Sequence, residues 1–173
     1  MKKYELTNET KLFNGTALRR IKALKDFGNV KKGDLGGWIE KEENLSQVET
    51  AWVYGNASVS GNASVSGNAR VYGNAKLSGN TNLYGDADVF KKNHYLNIGT
   101  IGSGFCFTTF FRNVGRGIMV DCGCFLGTIE EFKEKVKETH GDNKHAQAYL
   151  KACELAELQI YLNGDCEDEM AQV

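Results

Sequence analysis

From Trp52 to Phe90 the chain reads WVYGNASVSGNASVSGNARVYGNAKLSGNTNLYGDADVF, a pattern that returns every six residues. Val53, Val59, Val65, Val71, Leu77, Leu83 and Val89 mark the period, and small residues fall between them at Ala57, Ala63, Ala69, Ala75, Thr81 and Ala87. Gly-Asn stands at Gly55-Asn56, Gly61-Asn62, Gly67-Asn68, Gly73-Asn74 and Gly79-Asn80, and Gly-Asp once, at Gly85-Asp86. A period of six fits neither an amphipathic helix nor an array of hairpins. It fits a winding chain in which each repeat is one short strand and one corner. Glycine and asparagine tolerate the left-handed backbone that a tight corner needs. The aliphatic side chain then points inward, and the bore admits only a small partner beside it.

This pattern resembles the hexapeptide-repeat family, and the resemblance implies a short left-handed parallel β-helix with three hexapeptides to each triangular coil. Residues eighteen apart then stack on one face. Tyr54, Tyr72 and Phe90 share an outer face, flanked by Trp52, Arg70 and Asp88, whereas the other two faces carry mostly Ser, Asn and Lys. An aromatic ladder on an outer face marks an interface. Trp52, Tyr54, Arg70, Tyr72 and Phe90 are therefore the expected surface for oligomer contact, for packing against the chain's own flanking segments, or for a partner. A homo-oligomer, trimer or dimer, is the expected assembly.

The flanks read as attachments to the repeats. Residues 1–46 form a β cap, with a hairpin around Asn14-Gly15, and Leu35, Trp38 and Ile39 are expected to plug the open end of the coils. Residues 47–90 are the repeats and 91–94 a polar linker, in which His94 reads as solvated. Residues 95–163 form a ββαα module, and 164–173 an acidic tail. The module carries a hairpin, Phe105–Arg112 and Ile118–Cys124, with alternate faces both bearing phenylalanine. A first helix opens on the capping-box sequence Thr128-Ile-Glu-Glu131. The class is thus mainly β with a C-terminal α+β part. The cap sequence GDLGGWIE (33–40) and the module sequence GCFLGTIEEF (123–132) resemble a group of bacterial and phage hexapeptide-repeat proteins. Some bacterial members of that group are labelled acyltransferases, and short phage members carry a separate C-terminal module. The resemblance implies a phage or prophage origin.

Chemistry is sparse. Lys+Arg 21 against Asp+Glu 22 gives a net charge of −1, so no global field draws in nucleic acid or membrane. MKKYELTNE lacks the apolar core of a signal peptide, and no apolar run approaches the roughly 20 residues of a membrane span; a host-cytoplasmic protein is expected. The five cysteines, Cys106, Cys122, Cys124, Cys153 and Cys166, read as thiols. The one-residue gap of Cys122-Gly-Cys124 is not a zinc spacing, so no metal and no cofactor is expected. The loop Gly99-Thr-Ile-Gly102-Ser-Gly104 has glycines suited to a phosphate cradle, but it runs into a strand and not a helix. His94 is the one positional candidate for an acyltransferase base. No catalytic set is legible, and the chain is expected not to be an enzyme.

Arg112, Arg116 and Phe110 on the hairpin are candidate ligand or partner contacts, since arginine pairs with phosphate and aromatics stack on bases. The favoured expectation is a counter-defence inhibitor that sequesters a nucleotide immune signal or blocks a host immune protein such as a CRISPR nuclease. The alternatives are an assembly oligomer without ligand and a hexapeptide-repeat acyltransferase.

Overall fold

A computed structural model describes residues 2–160 and Leu162 of the chain. The tail 164–173 and Cys166 lie outside the described residues. Three strands come first: β1 (Tyr4–Phe13), β2 (Thr16–Ala23) and β3 (Leu35–Ile39). The hexapeptides then form seven two-residue strands. These are β4 (Trp52–Val53), β5 (Ser58–Val59), β6 (Ser64–Val65), β7 (Arg70–Val71), β8 (Lys76–Leu77), β9 (Asn82–Leu83) and β10 (Asp88–Val89). After them come β11 (Tyr95–Ile101), β12 (Cys106–Asn113), β13 (Gly117–Cys122) and β14 (Phe125–Thr128), then α1 (Ile129–His140) and α2 (Lys144–Gln159). The class is mainly β with a C-terminal two-helix module.

Successive hexapeptides go to three different sheets. Val53 pairs in parallel with Val71, and Val71 with Val89; Val59 pairs with Leu77, and Val65 with Leu83. Every inward aliphatic is at most 1% exposed. Thr81, at an alanine position, is equally buried and donates its hydroxyl to the Ser78 carbonyl at 2.9 Å. Each glycine of the corners has the positive φ that the Gly-Asn pairs imply.

The stack begins before the repeat becomes legible. Ile39 pairs in parallel with Val59, and Leu45 makes a parallel bridge to Val65, so Ile39, Leu45 and Val53 form a first layer beneath Val59, Val65 and Val71. The sheets are also mixed. The order β1-β2-β3-β5-β8 joins an antiparallel meander to parallel rungs. Gly36 and Gly37 permit that junction: a β-carbon on Gly36 would sit 2.6 Å from the Val53 carbonyl oxygen, and one on Gly37 2.6 Å from that of Ala57. The hairpin turn at Asn14-Gly15 is present, with positive φ at both residues.

The lower end is closed by residues other than those expected. Leu35 is 51% exposed. Trp38 is buried under the Lys11 and Arg20 side chains, and only Ile39 enters the bore. The plug is Tyr4, Phe27, Leu45 and Trp52, whose indole meets Phe27 edge-on at 5.2 Å and Tyr4 at 6.1 Å. Lys3 lies among them, fully buried, its ammonium donating to the carbonyls of Ala51 (2.8 Å) and Val48 (3.2 Å). Burial, and then the charge of Lys25, lower its pKa to about 8 from an ordinary 10.5.

A lysine pKa depressed by folding means that the unfolded chain holds more protons between pH 8 and 10.5, so stability rises with pH across that window. The rise is on the order of 3 kcal/mol. Cys153, pushed up to about 12 by burial, and Cys122, also raised, act the other way once unfolded thiols ionise. The readout is therefore the difference between the wild-type and Lys3→Met urea midpoints. It is expected to widen in favour of wild type above pH 8, and a constant difference would place the ammonium in solvent.

The upper end is covered by the antiparallel sheet β11-β12-β13-β14. One face sends Phe111 and Met119 into the coil core, and the other sends Phe110, Val120 and Cys122 against α1 and α2. The sheet has four strands, with β11 and β14 flanking the two of the expected hairpin. The capping box is present: Glu131 N–H donates to Thr128 Oγ1 at 3.2 Å, and Thr128 N–H to Glu131 Oε2 at 2.6 Å. Gly102 belongs to packing, not to a phosphate cradle, because a β-carbon there would lie 1.9 Å from the Tyr149 ring.

Candidate functional site

Where β10 leaves the coils, the chain must turn back so that β12 can cover them, and this turn gathers the polar chemistry of the molecule. Asp88 precedes the inward Val89 and is 4% exposed. A buried carboxylate needs partners, and Asp88 has three. Arg112 Nη1 donates to Oδ2 at 2.6 Å and to the Asp88 carbonyl at 3.3 Å, and the Tyr72 hydroxyl donates to Oδ2 at 3.1 Å. Arg70 Nη2 lies 3.2 Å from Oδ1, out of line for a hydrogen bond. Arg112 also lies over the Phe90 ring at 5.5 Å.

His94 closes the group. It is 3% exposed and packs edge-on against Phe90 with ring centres 4.0 Å apart. It is thus not a solvated linker residue. Burial, and next the Arg112 charge, lower its pKa, while a hydrogen bond to the Asp88 backbone opposes them. Nδ1 has no partner among the described residues, so the nitrogen that donates to the Asp88 carbonyl is Nε2.

On the other side of Asp88 a cleft of about 430 Å³ runs along the coil corner. Its walls come from three segments: Gly28 and Asn29 of the cap, Thr50, Tyr54, Asn68, Arg70 and Asp86 of the coils, and Val114 of the β12–β13 turn. Val114 N–H donates to the Asp86 carbonyl at 3.3 Å, which pins that turn. Along the corner the Thr50 hydroxyl donates to Asn68 Oδ1 at 2.7 Å, and Asn68 Nδ2 to Asp86 Oδ1 at 3.2 Å.

The expected interface divides. Tyr54 meets Tyr72 edge-on at 6.4 Å and Tyr72 stacks on Phe90 at 5.3 Å, so the ladder exists, with its upper end covered by Arg112 and His94. Arg70 is partly exposed. Trp52 is 1% exposed in the cap and is corrected from surface to core: its indole fills the bottom of the bore. Phe110 is likewise corrected, being fully buried beneath α1 against Phe132. Arg112 is occupied by Asp88, and Arg116 lies 3.6 Å from Glu131 on the surface. Sequence reading missed Asp88 as a hub, although its place directly before an inward valine was visible.

The protein matches no known family model. It is similar to an uncharacterized acetyltransferase of Escherichia coli strain K12, YdcK. The two are 37% identical over 67 residues, 34% of this chain and 21% of that relative, so the chain spans about a fifth of its length. The likeness overturns the expectation that the chain is not an enzyme, since the similar protein carries an enzyme's name. No observation supports the counter-defence expectation. No helix among the described residues is long and apolar enough to cross a membrane.

Proposed function

We propose that this chain is an acyltransferase of the hexapeptide-repeat kind, with residues 39–89 wound as a left-handed β-helix. The observation that carries the proposal is the likeness to a protein named acetyltransferase. The winding is supported by the parallel pairing of residues eighteen apart in three separate ladders. In the reaction an acceptor amine or hydroxyl attacks a thioester carbonyl. The new C–N or C–O bond forms, the C–S bond breaks, and the thiolate leaves with a proton from solvent.

The proton lost by the acceptor needs a base. His94 has the attributes of one: burial favours the neutral imidazole, the Asp88 carbonyl holds Nε2–H, and Nδ1 has no partner among the described residues. A base oriented by a third group is the general arrangement for such chemistry. His94 is 3% exposed, so an acceptor reaches it only after the surrounding side chains open.

The test uses acetyl-coenzyme A and a pool of small amines and alcohols, with acetylated products read by mass spectrometry. The wild-type chain is expected to turn over many times. His94→Gln is expected to lower kcat by roughly 10²- to 10⁴-fold in a chain that still folds by circular dichroism. Equal rates would remove His94 from the base's role, and no product from the wild-type chain would overturn the reading.

A further inference from the structure

The corner ladder contains one residue that its own pattern does not require. Every other corner from Asn56 to Asn80 is Gly-Asn, and only at Gly85-Asp86 does a carboxylate stand. Asparagine would serve the ladder equally: on the neighbouring corner Asn62 Nδ2 donates to Asn80 Oδ1 at 3.1 Å, the same bond that Asn68 makes to Asp86 at 3.2 Å. The negative charge of Asp86 is therefore surplus to the fold. It stands in a cleft that cap, coils and C-terminal module build together, alongside Arg70.

The Arg70 guanidinium spends one nitrogen on Asp88 and remains partly exposed along the cleft wall. Its ion contact is with Asp88 and not with Asp86. The cleft thus presents a cation and an anion that do not neutralise each other, with the Tyr54 ring and Val114 as apolar wall and the Asn29 amide as a further polar group. Guanidinium suits a phosphate or carboxylate, and a carboxylate suits an ammonium group.

We propose that this cleft binds a small molecule carrying both an anionic group and a primary amine, the anion at Arg70 and the amine at Asp86. Naming that molecule the acyl acceptor rests on the acyltransferase reading; the binding does not.

The test is a titration of the full chain with phosphoethanolamine, followed by backbone amide NMR. Shifts are expected at Gly28, Asn29, Asn68 and Asp86. Inorganic phosphate alone and ethanolamine alone are expected to bind at least about tenfold more weakly, since each engages one charge of the pair. Asp86→Asn is expected to weaken phosphoethanolamine binding by about the same factor and to leave the melting temperature unchanged. No shifts at the cleft, or phosphate binding equal to phosphoethanolamine and indifferent to Asp86→Asn, would overturn the proposal. Binding at the cleft without any acetylated product would fail the acyltransferase reading alone, whereas acetylation with a silent cleft would fail this inference alone.

Discussion

Val71→Asp is expected to abolish folding. Val71 is fully buried in the middle layer of the bore, paired in parallel below with Val53 and above with Val89. Its neighbours in the core are aliphatic side chains and alanines, so no donor there can pair with a carboxylate. An isolated charge in such surroundings costs several kcal/mol even after it takes up a proton, and the packing of the valine is lost as well. A domain of this size holds only about 5–15 kcal/mol in total. Far-UV circular dichroism and a thermal melt provide the check. Asn74→Asp, at an exposed corner of the next repeat, should move stability by no more than about 0.5 kcal/mol. A Val71→Asp chain that melts like wild type would mean that the aliphatic positions do not face the bore.

Asp88→Ala carries the second largest effect. Removing the carboxylate leaves the Arg112 guanidinium, whose side chain is 17% exposed, without its 2.6 Å partner, and frees the Tyr72 hydroxyl. Breaking one side of a buried pair costs about 3–5 kcal/mol because the remaining charge stays desolvated. Arg70, at 46% side-chain exposure, can turn to solvent, so Arg70→Ala is expected to cost at most about 1 kcal/mol. Urea unfolding of both variants, with Asp88→Ala/Arg112→Leu as the third corner, separates the cases. The double variant is expected to recover much of the loss. Equal, small losses for Asp88→Ala and Arg70→Ala would show that the pair is solvated and does not hold the sheet β11–β14 on the coils.

The repeats were legible in the sequence because their order is local. A six-residue period fixes which side chains face inward, and Val53 through Val89 are buried accordingly. The hairpin at Asn14-Gly15 and the helix start at Thr128 were legible for the same reason: each is specified by residues within a few positions of one another. Trp52 was misplaced because it occupies an outward position of the first repeat, and only the distant Tyr4 and Phe27 turn that position into core. The first layer of the stack escaped notice because Ile39 and Leu45 lie six apart but are followed by Val53 eight residues later. The extra residues of Gln47–Thr50 hide the period.

The candidate site was legible only in part. Tyr54, Arg70, Tyr72 and Phe90 follow from stacking at eighteen residues, whereas the meeting of Arg112 with Asp88 depends on how β12 lies over the coils. His94 was visible as a position, but its burial and its bond to the Asp88 carbonyl are products of that same closure. Asp86 was present in the sequence as a departure from Gly-Asn. Its meaning appears only when Gly28, Asn29 and Val114 are brought beside it.

Long-range proton–nitrogen NMR of the His94 ring across a pH titration tests the base at the centre of the proposed chemistry. The expected result is a ring that titrates below the pH of a free imidazole, with the proton on Nε2 and Nδ1 bare. A ring that protonates at or above the free-imidazole value, or one that carries its proton on Nδ1, would contradict it.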